Sequence, residues 1–351
     1  PKKANLEYFV EKKISKIDLL SPHSVTIPGA VHAWCSMHEK YGKLDLEEVL
    51  QKAEDYARNG FPVHEVEAYA WKEKELKLSK NENSRKLFLK NNKSYNFGDI
   101  FKNIPLANTI KLIGRNKIKG FYNSEVTKDM LETLNCLGGL HTEEDFNLQE
   151  TIFSSTISNM YKKFKIHQCP FNGPGIIVLM MMAMNEKMNT DKFDSSSFER
   201  YHLQAEITKV CYEFKETNLG DPNFNNINFD KILSDEFIQN LISKINIDKV
   251  YDSKKSYVTS NPETIYLTVV DKDLNAVSFI NSICHVFGSG ITTNNSGILF
   301  QNRGVNFRLE ENHPNSIQGN KRPLHTIIPG LLTNANNETI LSYGVMGGQY
   351  Q

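Results

Sequence analysis

The sequence predicts an α+β protein in which helices pack on sheets. Up to about residue 250 the apolar residues recur at helical spacing. From Thr264 to the end they alternate as in strands. Between the two lies "KVYDSKKSYVTSNPE", a polar, turn-rich stretch with the composition of a flexible connector.

The elements follow in chain order. After the turn "TIPGAV", Ala30, Val31, Trp34, Met37 and Tyr41 mark one helix, which Gly42 ends. A second starts at Asp45, which with Glu48 makes a D-x-x-E capping pattern. Its stripe is Leu46, Val49, Leu50, Ala53 and Ala57, and Gly60 suits the position after its end. Residues 70–100, rich in Lys and Asn, read as solvated surface. Val126, Met130, Leu131, Leu134 and Leu137 predict a helix over 126–137, and "GGLHTEEDF" places a new cap at Thr142. "QCPFNGPG" reads as a rigid loop before the apolar helix "GIIVLMMMAM", whose methionines are core packing. Helices are expected near 197–217, ending in "NLGDPNF", and near 234–246. His32, His38, His141 and His202 read as capping or surface residues.

From Thr264, Ile265, Leu267 and Val269 share one strand face, and Tyr266, Thr268 and Val270 the other. "DKDLN" turns the chain into "AVSFINS", and "GILFQN" and "TILSYGV" read as later strands.

Composition excludes several classes. Lys+Arg 41 balances Asp+Glu 41, which leaves no footprint for nucleic acid or an anionic membrane. The longest apolar run, residues 175–184, is too short to span a bilayer. Five scattered cysteines without C-x-x-C, and histidines without H-E-x-x-H, argue against a disulfide framework or a zinc site. The chain starts without methionine and stops at "GVMGGQYQ" with no closing element, so it reads as a segment incomplete at both ends. Its compartment, cytoplasmic or periplasmic, stays open.

Nine stretches occur in an order that resembles the γ-glutamyltranspeptidase family. They are "SVTIPGAVHAWCSMHEKYGKLDLEEVL", "GGLHTEEDF", "CPFNGPGIIVLMM", "NLGDPNF", "ETIYLTVVDKDLNAVSFINS", "FGSGI", "SGILFQNRG", "NKRPLHTIIPG" and "GVMGG". The resemblance implies an N-terminal-nucleophile hydrolase fold, a four-layer αββα sandwich. It implies a precursor that cuts itself between Glu263 and Thr264. A helix-rich part, 1–263, and the start of a strand-rich part, 264–351, would then stay intertwined as one domain and behave as a heterodimer. It calls for no metal or organic cofactor.

A threonine hydroxyl is a poor nucleophile unless a base takes its proton. Cleavage before Thr264 frees an α-amine of pKa roughly 8, close to working pH, so one residue supplies nucleophile and base. Without the family, a threonine at a strand start is ordinarily structural. By resemblance, Gly347 and Gly348 form the oxyanion hole, since glycines let backbone N–H groups approach a substrate closely. Ser282 falls where the family places a hydroxyl bonded to the nucleophile.

The substrate positions depart from the glutamyl-specific members. Arg303 and Asn306 stand where those members hold the substrate amine with acidic and amide side chains. Cys284 replaces an asparagine, and His325-Thr326 replace a serine pair. These features look more like the acylase and amidohydrolase branches. A cation at 303 disfavours an ammonium and favours a carboxylate; a structural arginine is the alternative. Gly304 reads as a turn residue. Lys321-Arg322-Pro323 either ties a loop or touches substrate. The expected reaction is hydrolysis or transfer of a γ-glutamyl amide, glutathione included, or of a related small anionic amide. The rival is an unprocessed, non-catalytic binding protein.

Overall fold

A computed structural model describes residues 1–170, 172–253, 264–345 and 347. The chain packs as two compact units, each assembled from separate stretches. The first holds residues 1–153, 283–305 and 317–320; the second holds 154–282, 306–316 and 321–351.

In the first unit, the spacing-predicted helices form at Ala30–Tyr41, Leu46–Asn59 and Glu125–Cys136. Gly60 closes the second at φ 92, a left-handed conformation that costs glycine little. Asp45 is the N-cap residue as read, but its side chain makes no capping hydrogen bond, and the buried Leu46 anchors that first turn. Thr142 does cap, in a full box with Asp145. Helix Leu46–Asn59 lies against helix Ile104–Asn116. Gly114 permits the approach, because a Cβ there would stand 2.9 Å from the Glu47 Cα. Val31, Leu46, Ile113, Met130, Leu134 and Phe146 fill the core between these helices. His141 belongs to the interior, not the surface. Its Nε2 lies 2.9 Å from the Val25 carbonyl, and burial drives its pKa down to about 4.

Residues 70–100 are folded, contrary to the compositional reading. Helices Glu65–Glu73, Glu75–Ser79 and Glu82–Phe88 bring Trp71, Leu78, Phe88 and Leu89 together with Phe101. Phe101 sits in β2 (Ile100–Phe101), paired with β1 (Phe61–Pro62). A few large side chains make this core, and the lysines around them are mostly exposed. Composition registers only that outer face.

The 283–305 stretch carries no strand at "GILFQN"; only an isolated bridge joins Thr292 to Leu299. Its buried backbone is satisfied by helix side chains instead, as buried polar groups require. Ser84 Oγ donates to the Gly290 carbonyl at 2.6 Å and Thr109 Oγ1 to that of Ser296 at 2.9 Å. The Asp129 carboxylate accepts from the Asn295 and Ser296 amides at 2.9 and 2.7 Å.

The second unit is layered. Its antiparallel sheet runs β3 (Ile157–Tyr161), β4 (Phe164–Gln168), β7 (Ile328–Thr333), β8 (Thr339–Val345). The β3–β4 hairpin is an addition to the sequence reading; it turns on Lys162, at φ 54. Helices Gly175–Lys187, Phe198–Asn218 and Asp235–Ile242 share a core of Ile176, Met180, Met184, Ile207 and Ile238, and the first of them covers β3 and β4. The last helix ends short of residue 246, at a Ser243 C-cap. A separate hairpin, β5 (Ile265–Val270) with β6 (Ala276–Asn281), stacks on β7 and β8. Helix, sheet and hairpin thus give three successive layers. The hairpin's other face leaves Ile265, Leu267, Val269 and Val277 exposed. No helix among the described residues is long and apolar enough to cross a membrane.

Candidate active site

The candidate residues fall in both units. In the second, Thr264 immediately precedes β5, half-buried. The β5–β6 register pairs Ile265 with Asn281, so the next step sets Thr264 beside Ser282. Their hydroxyls lie 3.3 Å apart. Two paired strands therefore hold the nucleophile candidate at a rigid edge. Gly347 follows β8 at φ 126, a conformation that favours glycine. Glu263 and Gly348 lie outside the described residues, as does most of the connector before Thr264.

His325 and Thr326 sit in a loop of the same unit. Asn172, from "CPFNGPG", receives the His325 amide on its carbonyl and donates through Nδ2 to the Pro323 carbonyl at 3.2 Å. His325 Nδ1 lies 2.8 Å from that carbonyl, which can only accept, so Nδ1 is the donor. Asn306 Nδ2 donates to the Leu324 carbonyl at 2.9 Å and braces the loop from a second side. Of the two readings of Lys321-Arg322-Pro323, the ties favour the structural one. Arg322 donates through Nη2 and Nε to the two Asp221 oxygens at 2.9 and 3.1 Å, and through its amide at 2.8 Å. Burial raises the Asp221 pKa, but these hydrogen bonds outweigh it and the net shift is downward.

In the first unit, Arg303 and Cys284 are 4% and 5% exposed. Burial lowers the Arg303 pKa, and Coulombic attraction to Cys284 opposes it. Burial raises the Cys284 pKa against the pull of Arg303 and Lys77. Cys284 opens a tight turn with φ 80, and Phe287 and Gly288 are also left-handed, at φ 56 and 46. Lys77 clamps that turn: its Nζ donates to the carbonyls of Val286, at 2.6 Å, and Gly288. Burial, then Lys74, bring the Lys77 pKa down to about 8, with Cys284 pulling the other way. Gly304 serves close packing, since a Cβ there would lie 2.7 Å from the Ser24 carbonyl oxygen.

Sequence reasoning missed Lys77 and Asn172. Lys77 is one lysine among many in "KEKELKLSK", and nothing local separates it from its solvated neighbours. Asn172 left a trace, because a polar residue inside a Pro- and Gly-bounded loop has few partners but the backbone.

The stacked layers, with a threonine at the edge of the hairpin, are those of an N-terminal-nucleophile hydrolase fold. The chain superimposes on the crystal structure of cephalosporin acylase from Bacillus halodurans with a TM-score of 0.91 and 28% identity, over 100% of this chain and 65% of that one. It belongs to the gamma-glutamyltranspeptidase family, whose model matches residues 1–351. It is 30% identical to the glutathione hydrolase-like YwrD proenzyme of Bacillus subtilis, over 93% of this chain and 62% of that protein. It is 28% identical to the glutathione hydrolase proenzyme of Escherichia coli, over 99% of this chain and 63% of that protein. The chain thus spans less than two thirds of the length of these relatives.

Proposed function

We propose that the protein is a self-processing amide hydrolase or acyltransferase with Thr264 as nucleophile. The observation that carries this reading is the hydroxyl pair Thr264–Ser282, 3.3 Å apart at the open end of a paired hairpin. Hydrolysis of the Glu263–Thr264 peptide bond frees the Thr264 α-amine. That amine takes the hydroxyl proton as Oγ1 attacks the substrate carbonyl carbon. The amide N–H groups of Gly347 and Gly348 stabilise the oxyanion. The C–N bond breaks, the proton passes to the leaving amine, and an ester to Thr264 remains. Water then releases the acid, or a second amine takes the acyl group. The part up to Glu263 and the part that starts at Thr264 stay together as a heterodimer.

The substrate we infer is a small amide carrying a carboxylate, in the γ-glutamyl or a related series. Arg303 is the cation that recognises it, and a guanidinium pairs with carboxylate in fork geometry. Of the other positions that depart from the glutamyl-specific members, Cys284 belongs to the first unit and Asn306, His325 and Thr326 to the second; by resemblance they are the further substrate residues.

The test is the intact mass of the full-length gene product beside a Thr264→Ala variant. Two fragments, the smaller starting at Thr264, and an uncut variant are expected. A single uncut chain in both after long incubation would transfer the protein to the non-catalytic, binding class.

A further inference from the structure

Within the second unit, the two candidate parts of the acyl-transfer machinery lie on different layers. Thr264 precedes β5 of the hairpin, and Gly347 follows β8 of the sheet beneath it. Neither strand pairs with the other, so backbone hydrogen bonding does not fix their relative position. Something else must, because a nucleophile misplaced by about 1 Å can cost a factor of roughly 100 in rate.

Tyr266 is the side chain that spans the gap. It lies two residues into the chain from Thr264, on the same strand face, since strand side chains alternate. Its ring is seated on Gly344, three residues before Gly347. A Cβ on Gly344 would fall among the Tyr266 ring atoms Cδ2, Cε2 and Cγ. Its hydroxyl lies 3.3 Å from Ser342 Oγ and 3.1 Å from Ser278 Oγ. The ring and hydroxyl therefore touch β8 at two points, residues 344 and 342, about 7 Å apart along a strand. Two contacts on one rigid ring resist both sliding and rotation of β5 over β8. Thr268 Oγ1, 2.9 Å from Ser342 Oγ, and Ser278 Oγ, donating to the Tyr343 carbonyl at 3.0 Å, repeat the tie further along.

The sheet's opposite face has a matching device. Tyr343, pointing the other way, is seated on Gly330 of β7, and its hydroxyl accepts from Gln168 Nε2 at 2.7 Å. β8 is thus held from both sides by a tyrosine laid over a glycine. This side fixes β8 within the sheet, and the Tyr266 side fixes the hairpin on β8.

We propose that Tyr266 on Gly344 is a positioning residue of the reaction, setting the Thr264 hydroxyl in register with the oxyanion donor at Gly347. The proposal rests on the function given above. It differs from plain packing in what it affects: alignment of nucleophile and donor matters in the tetrahedral state and much less for substrate binding.

The experiment uses the full-length, processed protein with γ-glutamyl- and glutaryl-p-nitroanilide as substrates and a short carboxyalkyl boronic acid as tetrahedral probe. Gly344→Ala is expected to lower kcat about 100-fold at KM within a factor of about three. It should weaken the boronic acid in parallel. Tyr266→Phe keeps the ring on its seat and should retain kcat within about tenfold, whereas Tyr266→Leu should fall with Gly344→Ala. Adding Tyr266→Leu to Gly344→Ala should cost little more, because both remove one contact. Should Gly344→Ala fail to fold, Tyr266→Phe against Tyr266→Leu decides the same point. Unchanged kcat and boronic-acid affinity in the folded variants, with only the melting temperature lowered, would reduce the contact to packing and overturn the proposal. A wild type that turns over neither substrate, and whose boronic-acid binding survives Thr264→Ala, would instead remove the proposed function and this inference with it.

Discussion

Arg303 and Cys284 in the first unit are 4% and 5% exposed on an irregular stretch, whereas Thr264 and Ser282 in the second are half-buried on paired strands. The irregular stretch is held by side chains reaching in from helices, Lys77, Ser84, Thr109 and Asp129 among them. The hairpin is held by its own ladder and by hydroxyls on the strand beneath it. On the proposed function, the two regions answer different chemical demands. A cation meant to recognise an anion gains from a low dielectric, which sharpens charge discrimination, but it then needs a braced backbone. A nucleophile needs access and a fixed direction, and regular pairing supplies both.

The strongest challenge to this contrast comes from the second unit's own Arg322–Asp221 ion pair, whose carboxylate is buried and whose guanidinium is half-buried. Arg322→Ala would leave the Asp221 carboxylate, 0% exposed, without its cation, at a cost of about 3 kcal/mol or more. Urea unfolding of the processed protein should show it. Because the Asp221 pKa is lowered in the folded state, its contribution is present above the unfolded value near 3.9 and is lost as pH falls through the folded one. The gap between wild type and variant should therefore close in acid. A gap independent of pH would mean that Arg322 acts by packing alone.

Arg303→Ala sharpens the contrast from the other side. Loss of one charge-assisted contact of about 1.5–3 kcal/mol should raise KM for glutaryl-p-nitroanilide roughly 10- to 100-fold, with self-cleavage intact. An unchanged KM across anionic amides would make Arg303 structural.

Lys77→Met should loosen the Cys284–Gly288 turn. Peptide mapping after iodoacetamide treatment should then find Cys284 alkylated faster than in wild type, where it is buried. The folded-state pKa of Lys77, about 8, lies below its ordinary value, so the unfolded chain binds more protons between the two. Wild-type stability should accordingly gain on that of the variant as pH rises from about 8 to about 10.4. Equal alkylation rates and parallel pH curves would mean that the turn holds without Lys77.

The smallest effect is at a helix N-terminus. Thr142→Ala removes a capping box and should cost about 1 kcal/mol, visible as a lower melting temperature at unchanged kcat.

The helices around Trp34, Leu50, Leu134 and Met180 and the Thr264 hairpin were legible because each carries its own period or turn over many residues. The β3–β4 hairpin was not, since "ISNMYKKFKIHQ" alternates weakly and its turn is two lysines, with no glycine or asparagine to announce it. "GILFQN" has strand composition but no neighbour to pair with, and tertiary side-chain contacts take its backbone instead. Asp45 stands at the N-cap with extended backbone, but its side chain makes no capping hydrogen bond. Within the candidate site, ordered motifs singled out Thr264, Ser282 and Gly347, and the hairpin register sets the first two side by side. Lys77 and the seat of Tyr266 on Gly344 depend on chain segments far apart in sequence, which no local pattern encodes.

The backbone at Cys284 bears on how such a site could change its preference over time. With φ 80 it occupies a region that suits glycine and, among other residues, asparagine best. Asparagine is also what the glutamyl-specific members place there by resemblance. The turn is therefore preshaped for either residue, and exchanging one pocket chemistry for the other needs no remodelling of the loop. A Cys284→Asn chain would be expected to fold at least as well as the parent. That would make this position an inexpensive point of divergence between the acylase-like and glutamyl-like branches.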